Sequence, residues 1–347
     1  MKLRLVRLTT FGELRVPYSV AVAHEEQWVP LLPALYRLDN TDLAAGHSSY
    51  DYPTLQRTAT DLIAFLQAGE EARTEAARLA KVMAERGVTF EDAYDPAPIL
   101  PFKPLSFRDF MLYEQHVINA GKGLVRRFMP KMWKPLALYE KLTGKPHPKL
   151  RPKPIWYEKP IYYMGSHINF YTEGETIPWP GYTRALDYEL ELGVVIARPI
   201  YNATPQEALE AIGGFVVIND FSARDVQYPE MMSGFGPVKA KNFANGMSAV
   251  VVTADEVLPH VEALTARVTV NGTPWGEGST AGPQHSLGEM VAYASLGEKV
   301  LPGEVMATGT IPGCSGVETG QWLSPGDEIV LEIARVGTLR NIIGQPG

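Results

Sequence analysis

At 347 residues, with 45% hydrophobic and 20% charged side chains, the chain has the composition of an ordinary globular protein, long enough for one large domain and a smaller one. A net charge of -7 without a long basic run argues against nucleic acid as a partner, and no apolar run approaches the roughly 20 residues of a membrane span. The single cysteine, Cys314, excludes an internal disulfide framework and a multi-cysteine zinc site, and the charged start Met1-Lys2-Leu3-Arg4 lacks a signal-peptide centre, so a cytoplasmic location is expected.

In chain order, residues 1 to about 35 read as short strands with Gly12 at a turn. Helices are expected over Thr54–Gln67 and Glu70–Arg86, the second closed by Gly87. The Pro-rich stretches Asp95–Pro98 and Pro101–Pro104 mark a boundary, which divides the chain into a small N-terminal domain, 1–95, and a larger one, 96–347. Ser106 could cap a helix through Glu114, Gln115 and His116, and in such a helix Asp109 and His116, two turns apart, share one side. Residues 121–155, with many Lys and Arg side chains and several prolines, read as a solvated loop or lid.

From residue 156 strands dominate. Arg184–Ile196 alternates with a period of two, placing Tyr188, Leu190 and Leu192 on one face and Asp187, Glu189 and Glu191 on the other. A half-buried strand with a solvated polar face and a cluster of hard oxygen ligands for Mg²⁺ or Ca²⁺ are both open at this point. Thr204-Pro205-Gln206-Glu207 starts a helix that Gly213-Gly214 closes, and Phe215–Ile218 is a buried strand ending in Asn219-Asp220. Val250–Thr253, Ala266–Val270 with its Asn271-Gly272 turn, and Glu328–Ile333 are further strands, and Met306–Gly313 reads as a small-residue loop suited to an oxyanion. The expected fold class is mainly β (α+β): a mixed β-sandwich or roll with a small N-terminal domain.

Four stretches together carry a resemblance: Asp187-Tyr188-Glu189-Leu190-Glu191, Ile218 to Gln227 (Ile-Asn-Asp-Phe-Ser-Ala-Arg-Asp-Val-Gln), Lys241-Asn242-Phe243 and Thr308-Gly309-Thr310-Ile311. In order and spacing they resemble the signature blocks of the fumarylacetoacetate hydrolase family, over roughly residues 100 to 345. The resemblance implies a mixed β-roll, a homodimer, and a divalent cation, Mg²⁺ or Ca²⁺, on Asp109, Glu189, Glu191 and Asp220. It implies His116 as the base with Glu318 orienting it, Lys241 as the catalytic lysine, and Gln227 and Thr310 against substrate; Arg126 takes the substrate-arginine role after a one-residue shift. Where enzymes specific for fumarylacetoacetate carry two pocket tyrosines, this chain has Met111 and Met231.

The implied activity is metal-dependent hydrolysis of a carbon–carbon bond in a small-molecule diketo acid of the fumarylacetoacetate or acylpyruvate type. A neutral His116 suits water activation, the ordinary histidine pKa being about 6.5. The alternative within the superfamily is an isomerase, hydratase or decarboxylase of 2-oxo acids in aromatic catabolism. A non-catalytic ion-binding β-domain is a third reading, but it has no use for Lys241 among the carboxylates.

Overall fold

The alternation after Arg184 yields the central strand of the molecule, Glu189–Ile196, buried on both faces. The structure, a computed structural model, describes residues 1–9, 16–41 and 49–347; the turn expected at Gly12 lies outside them. Antiparallel neighbours Ile212–Asp220 and Val305–Ser315 flank the central strand. Leu190, Leu192, Val194 and Ile196 enter one apolar core, shared with Val268, Ile329 and Leu331. Val195 enters a second, shared with Val216, Ile218, Phe65 and Leu66. Both faces are therefore covered, and the solvated-face reading of the carboxylates fails: Asp187, Glu189 and Glu191 are all buried.

The principal path of a twelve-stranded sheet runs Gln27–Pro30, Tyr18–His24, Lys2–Leu8, Val250–Thr253, Ile212–Asp220, Glu189–Ile196, Val305–Ser315, Phe107–Phe110, Tyr162–Gly165. A five-stranded sheet (Thr273–Ser279, Thr265–Val270, Glu328–Ile333, Gly337–Pro346, Thr176–Trp179) supplies the other wall of the first core. Strands of both sheets with helices packed outside them make the mixed, mainly β architecture expected from the strand pattern.

Local signals explain several elements. Thr204 and Glu207 form a capping box at Pro205–Glu210, although that helix ends before Gly213-Gly214, which belong to the next strand. Asn271 and Gly272 both have positive φ, as a two-residue hairpin turn requires. The helix expected over Thr54–Gln67 is split: Pro53–Thr58 is a short helix by itself, and Leu62–Glu85, capped by the Asp61 carboxylate and bent at Gly69, joins the rest to the helix expected over Glu70–Arg86.

Three expectations are corrected. The single helix expected from Ser106 to His116 is a strand, Phe107–Phe110, followed by a helix, Glu114–Phe128. Burial decides this: Phe107 and Phe110 enter opposite cores, as alternate faces of a strand require, and Arg108 is buried against Glu304. The loop expected over 121–155 is largely helical, with Pro130–Thr143 starting at a proline in the first turn and ending at Gly144 in the left-handed conformation. The loop expected over 306–313 is part of the strand Val305–Ser315. Among the described residues no helix is long and apolar enough to cross a membrane.

Candidate active site

Strand register assembles the acidic side chains. Leu190 pairs with Asn219, which sets Glu189 and Glu191 beside Asp220 on one face of adjacent strands. On the other side of the central strand, Glu191 pairs with Thr310 but Gly193 with Ala307, so Val305–Ser315 holds one extra residue. Gly309 occupies that bulge at φ +82°, and a Cβ there would lie 2.6 Å from the Phe110 carbonyl oxygen. The bulge turns Thr310 inward, where its hydroxyl donates to Glu191 Oε1 at 3.3 Å. Asp109 follows on the next strand, opposite Ala307, and Tyr163 on the strand after that, opposite Asp109.

Asp109, Glu191 and Asp220 converge, each offering an oxygen within 4.8 Å of the others. Burial raises the pKa of Asp109 well above the carboxylate range, and Glu191 and Asp220 beside it add to the rise. Burial, then Asp220 and Glu189, lift Glu191 to about 8. Burial also raises Asp220, though Lys241 opposes it. One oxygen of each carboxylate (Asp109 Oδ1, Glu191 Oε2 and Asp220 Oδ1) is buried without a hydrogen-bond partner among the described residues. Three buried carboxylates that converge, each with an unsatisfied acceptor, fit a hard divalent cation, whose oxygen ligands they would be.

Glu189, expected as a fourth ligand, is engaged elsewhere. Arg224 Nη2 donates to its Oε1 at 2.7 Å, Lys241 Nζ to its Oε2, and His116 Nε2 lies 3.5 Å away. Burial alone would raise its pKa, but Arg224, Lys241 and His116 hold it well below the carboxylate range. Lys241 also donates to Asp220, and the two carboxylates keep it charged against the pull of burial. Asp187 anchors this frame: Arg224 Nε donates to its Oδ2 at 2.8 Å, as does the Val317 amide at 3.0 Å.

His116 stands in the first turn of Glu114–Phe128, buried, with Nδ1 3.0 Å from Glu318 Oε2. Glu318 is itself held by the Ser315 hydroxyl at 2.9 Å and the Gly313 amide at 3.2 Å. The helix reaches this position through Gly123, which lies against the Val317 carbonyl with no room for a Cβ. Burial pulls the His116 pKa down, but Glu318 and Glu189 outweigh it and lift it to about 9. Without a cation this favours the protonated ring, whereas the neutral imidazole expected for water activation needs the opposing charge of a bound cation.

Asp109, His116, Glu189, Glu191, Arg224 and Lys241 line one cavity of about 440 Å³, together with Gln227 and Thr310. Gln227 accepts from Arg224 Nη1 at 2.9 Å. Arg126 is not brought in: it lies on the outer side of its helix, exposed, with its guanidinium 5.1 Å from the Trp133 ring centre. Arg224 and Tyr163 are cavity residues to which the sequence reading gave no role. Arg224 stood in a quoted block; Tyr163, whose hydroxyl donates to Asp220 Oδ2 at 2.9 Å, left no local signal because only cross-strand pairing places it.

Residues 113–343 match the family model of the fumarylacetoacetate hydrolase C-terminal domain. The chain is 31% identical over 189 residues to the 4-hydroxyphenylacetate degradation bifunctional isomerase/decarboxylase of Escherichia coli, covering 54% of this chain and 42% of that protein. It thus spans less than half of that relative. Identity to the mitochondrial oxaloacetate tautomerase of Homo sapiens is 29% over 168 residues, covering 48% of this chain and 76% of that protein. The solved fumarylacetoacetate hydrolase of Exiguobacterium antarcticum superposes over 99% of both chains with a TM-score of 0.62 at 19% identity, a likeness of fold.

Proposed function

The chain belongs to the fumarylacetoacetate hydrolase family, and from that premise we propose that it hydrolyses the carbon–carbon bond of a diketo acid of the fumarylacetoacetate or acylpyruvate type. Asp109, Glu191 and Asp220 would hold a divalent cation, Mg²⁺ or Ca²⁺, which supplies Lewis acidity toward the substrate oxygens. The observation that carries the hydrolytic reading is the His116–Glu318 pair, with His116 lining the same cavity as Asp109 and Glu191.

Glu318 fixes the imidazole through Nδ1, leaving Nε2 toward the cavity to take a proton from water. The water oxygen bonds to the carbonyl carbon distal to the carboxylate. The bond from that carbon to the methylene then breaks, and its electron pair leaves as the enolate of the shorter oxo acid, a 2-oxo acid from an acylpyruvate and a 3-oxo acid from a fumarylacetoacetate-type substrate. His116 returns the proton to the enolate carbon, so that one water is consumed and a carboxylic acid and the shorter oxo acid form. Lys241, buried beside Glu189 and Asp220, supplies positive charge next to the developing oxyanion. Gln227 and Thr310 contact the substrate. A homodimer accompanies this reading, and light scattering on the purified protein tests it.

A second reading is favoured by the proton His116 retains. An imidazolium is a general acid, and protonating an enolate carbon is the step that isomerisation, tautomerisation and decarboxylation of 2-oxo acids share. The Escherichia coli isomerase/decarboxylase and the human oxaloacetate tautomerase are enzymes of this kind. Incubating an acylpyruvate with the Mg²⁺-loaded protein and following both carboxylate release and solvent deuterium uptake by NMR separates the two. Carboxylate release lost in His116→Ala supports hydrolysis; deuterium uptake without carboxylate release rejects it.

A further inference from the structure

Building on the diketo-acid reading, we infer that the group at the far end of the substrate from its 2-oxo acid is uncharged and apolar, an alkyl or aryl chain. The cavity is divided. Its floor carries the carboxylates, Arg224, Lys241 and His116, whereas its wall is mostly apolar, made of Met111, Val117, Ala120, Leu124, Ile161 and Met231, with Tyr162 and Tyr228 adding hydroxyls but no charge. Val117, Ala120 and Leu124 recur at helical spacing, so the helix that delivers His116 also presents an apolar stripe to the substrate.

The cations give the argument its force. His116, Arg224 and Lys241 are the only basic side chains that line the cavity among the described residues, and each is held by two carboxylates: His116 by Glu318 and Glu189, Arg224 by Asp187 and Glu189, Lys241 by Glu189 and Asp220. The basic residues farther along the helix are drawn away, Lys122 to Glu140, Arg126 to the Trp133 ring and Arg127 to the Trp322 ring. A second carboxylate on the distal arm would face a mostly apolar wall with no free cation to pair with, at a penalty of about tenfold or more in affinity. A chain of methylenes gains about fourfold for each one buried. Ile161, Met111 and Met231 stay 36%, 39% and 49% exposed, so apolar surface continues at the mouth of the cavity. The two methionines, unbranched and flexible, fit alkyl and aryl groups alike.

The test uses 2-oxo acids that lack the second carbonyl and so report binding without cleavage. With Mg²⁺-loaded protein, calorimetric titration across 2-oxobutanoate, 2-oxohexanoate and 2-oxooctanoate is expected to show affinity rising about fourfold per methylene. The dicarboxylate 2-oxosuberate is expected to bind at least about tenfold more weakly than 2-oxooctanoate, and Leu124→Arg to narrow or reverse that ratio. Equal or tighter binding of 2-oxosuberate by the native protein, or affinity independent of chain length, overturns the inference. An acylpyruvate that binds with the same chain-length preference but releases no carboxylate supports the inference and rejects the hydrolytic reading alone.

Discussion

The two sides of the cavity are built differently. One is a sheet face on which Asp109, Glu191 and Asp220 are fixed by cross-strand pairing and fully buried. The other is a helical wall, Glu114–Phe128 backed by Pro130–Thr143, with apolar residues toward the cavity and charges toward solvent. A strand face cannot change one side chain's position without moving its neighbours, whereas a helix can exchange Leu124 or Val117 with little effect on the sheet. The acid cluster therefore belongs to chemistry that tolerates no displacement, and the wall to the choice of substrate. His116 crosses the division: it rides on the wall but acts on the floor.

The strongest test of that division removes His116. His116→Ala is expected to lower kcat by about 10²–10⁴-fold, the usual worth of a general acid–base group. Divalent-ion affinity by calorimetry stays within a few-fold, because the acid cluster sits on the sheet. Loss of metal binding in this variant would show that floor and wall are one unit.

Gly123→Ala attacks the same crossing from a distance. The added methyl has no room against the Val317 carbonyl, so the helix must back away from the turn that carries Glu318. The His116–Glu318 contact, now 3.0 Å, should open, with a loss in kcat of about 10²-fold such as small displacements of positioned groups produce. A pH–rate profile identifies the cause. The native ascending limb belongs to deprotonation of His116, raised to about 9 chiefly by Glu318 over the opposing effect of burial. A bound cation lowers that value by its charge, and retreat from Glu318 lowers it further. An unmoved limb in Gly123→Ala would dissociate the glycine from the histidine.

How much of this was legible in the sequence follows the same division. Glu189, Glu191, Asp220 and Lys241 sit in short blocks whose residues are local to one strand or turn, and their gathering was expected. Asp109 and His116 were expected to share a helix face; they reach the cavity instead from a strand and a separate helix, because Phe107 and Phe110 are buried in opposite cores. Glu189 was expected on the cation, but whether a carboxylate turns to a metal or to Arg224 and Lys241 is decided by side chains from other strands and turns. The wall beyond residue 121 was read as a solvated loop because its many lysines and arginines draw the eye, while the sparse stripe of Val117, Ala120 and Leu124 continues the helix that begins at Glu114. Arg126 was placed by proximity to the histidine, and helical geometry rotates it outward.

The sheet face alone should respond to pH through its acids. Without a cation Glu191 titrates at about 8, raised by burial and then by Asp220 and Glu189, so at pH 7 it is mainly protonated. A cation needs its ionised form and must displace that proton. Apparent Mg²⁺ affinity is therefore expected to rise with pH by about tenfold per unit up to about pH 8, and more steeply where Asp109 also loses a proton. Titrations in two buffers of different ionisation enthalpy count the protons released. An affinity flat from pH 6 to 8 would mean that the triad is already ionised and that Lys241 balances it.

The smallest effect is expected on the outer wall. Lys122 and Glu140 form the ion pair that fastens Glu114–Phe128 to Pro130–Thr143, with side chains 19% and 35% exposed. Solvent-facing pairs of this kind are worth about 0–1 kcal/mol, so Lys122→Met should change the free energy of urea unfolding by less than about 1 kcal/mol. Lys122 lies six residues beyond His116 and touches none of the reacting groups, which leaves kcat to the floor. A looser helix pair would instead weaken contacts along the apolar stripe, raising KM a few-fold for substrates with long acyl arms and hardly at all for short ones. A fall in kcat of an order of magnitude, equal for both arms, would mean that the wall positions His116 through this pair, and that the helix is part of the catalytic frame after all.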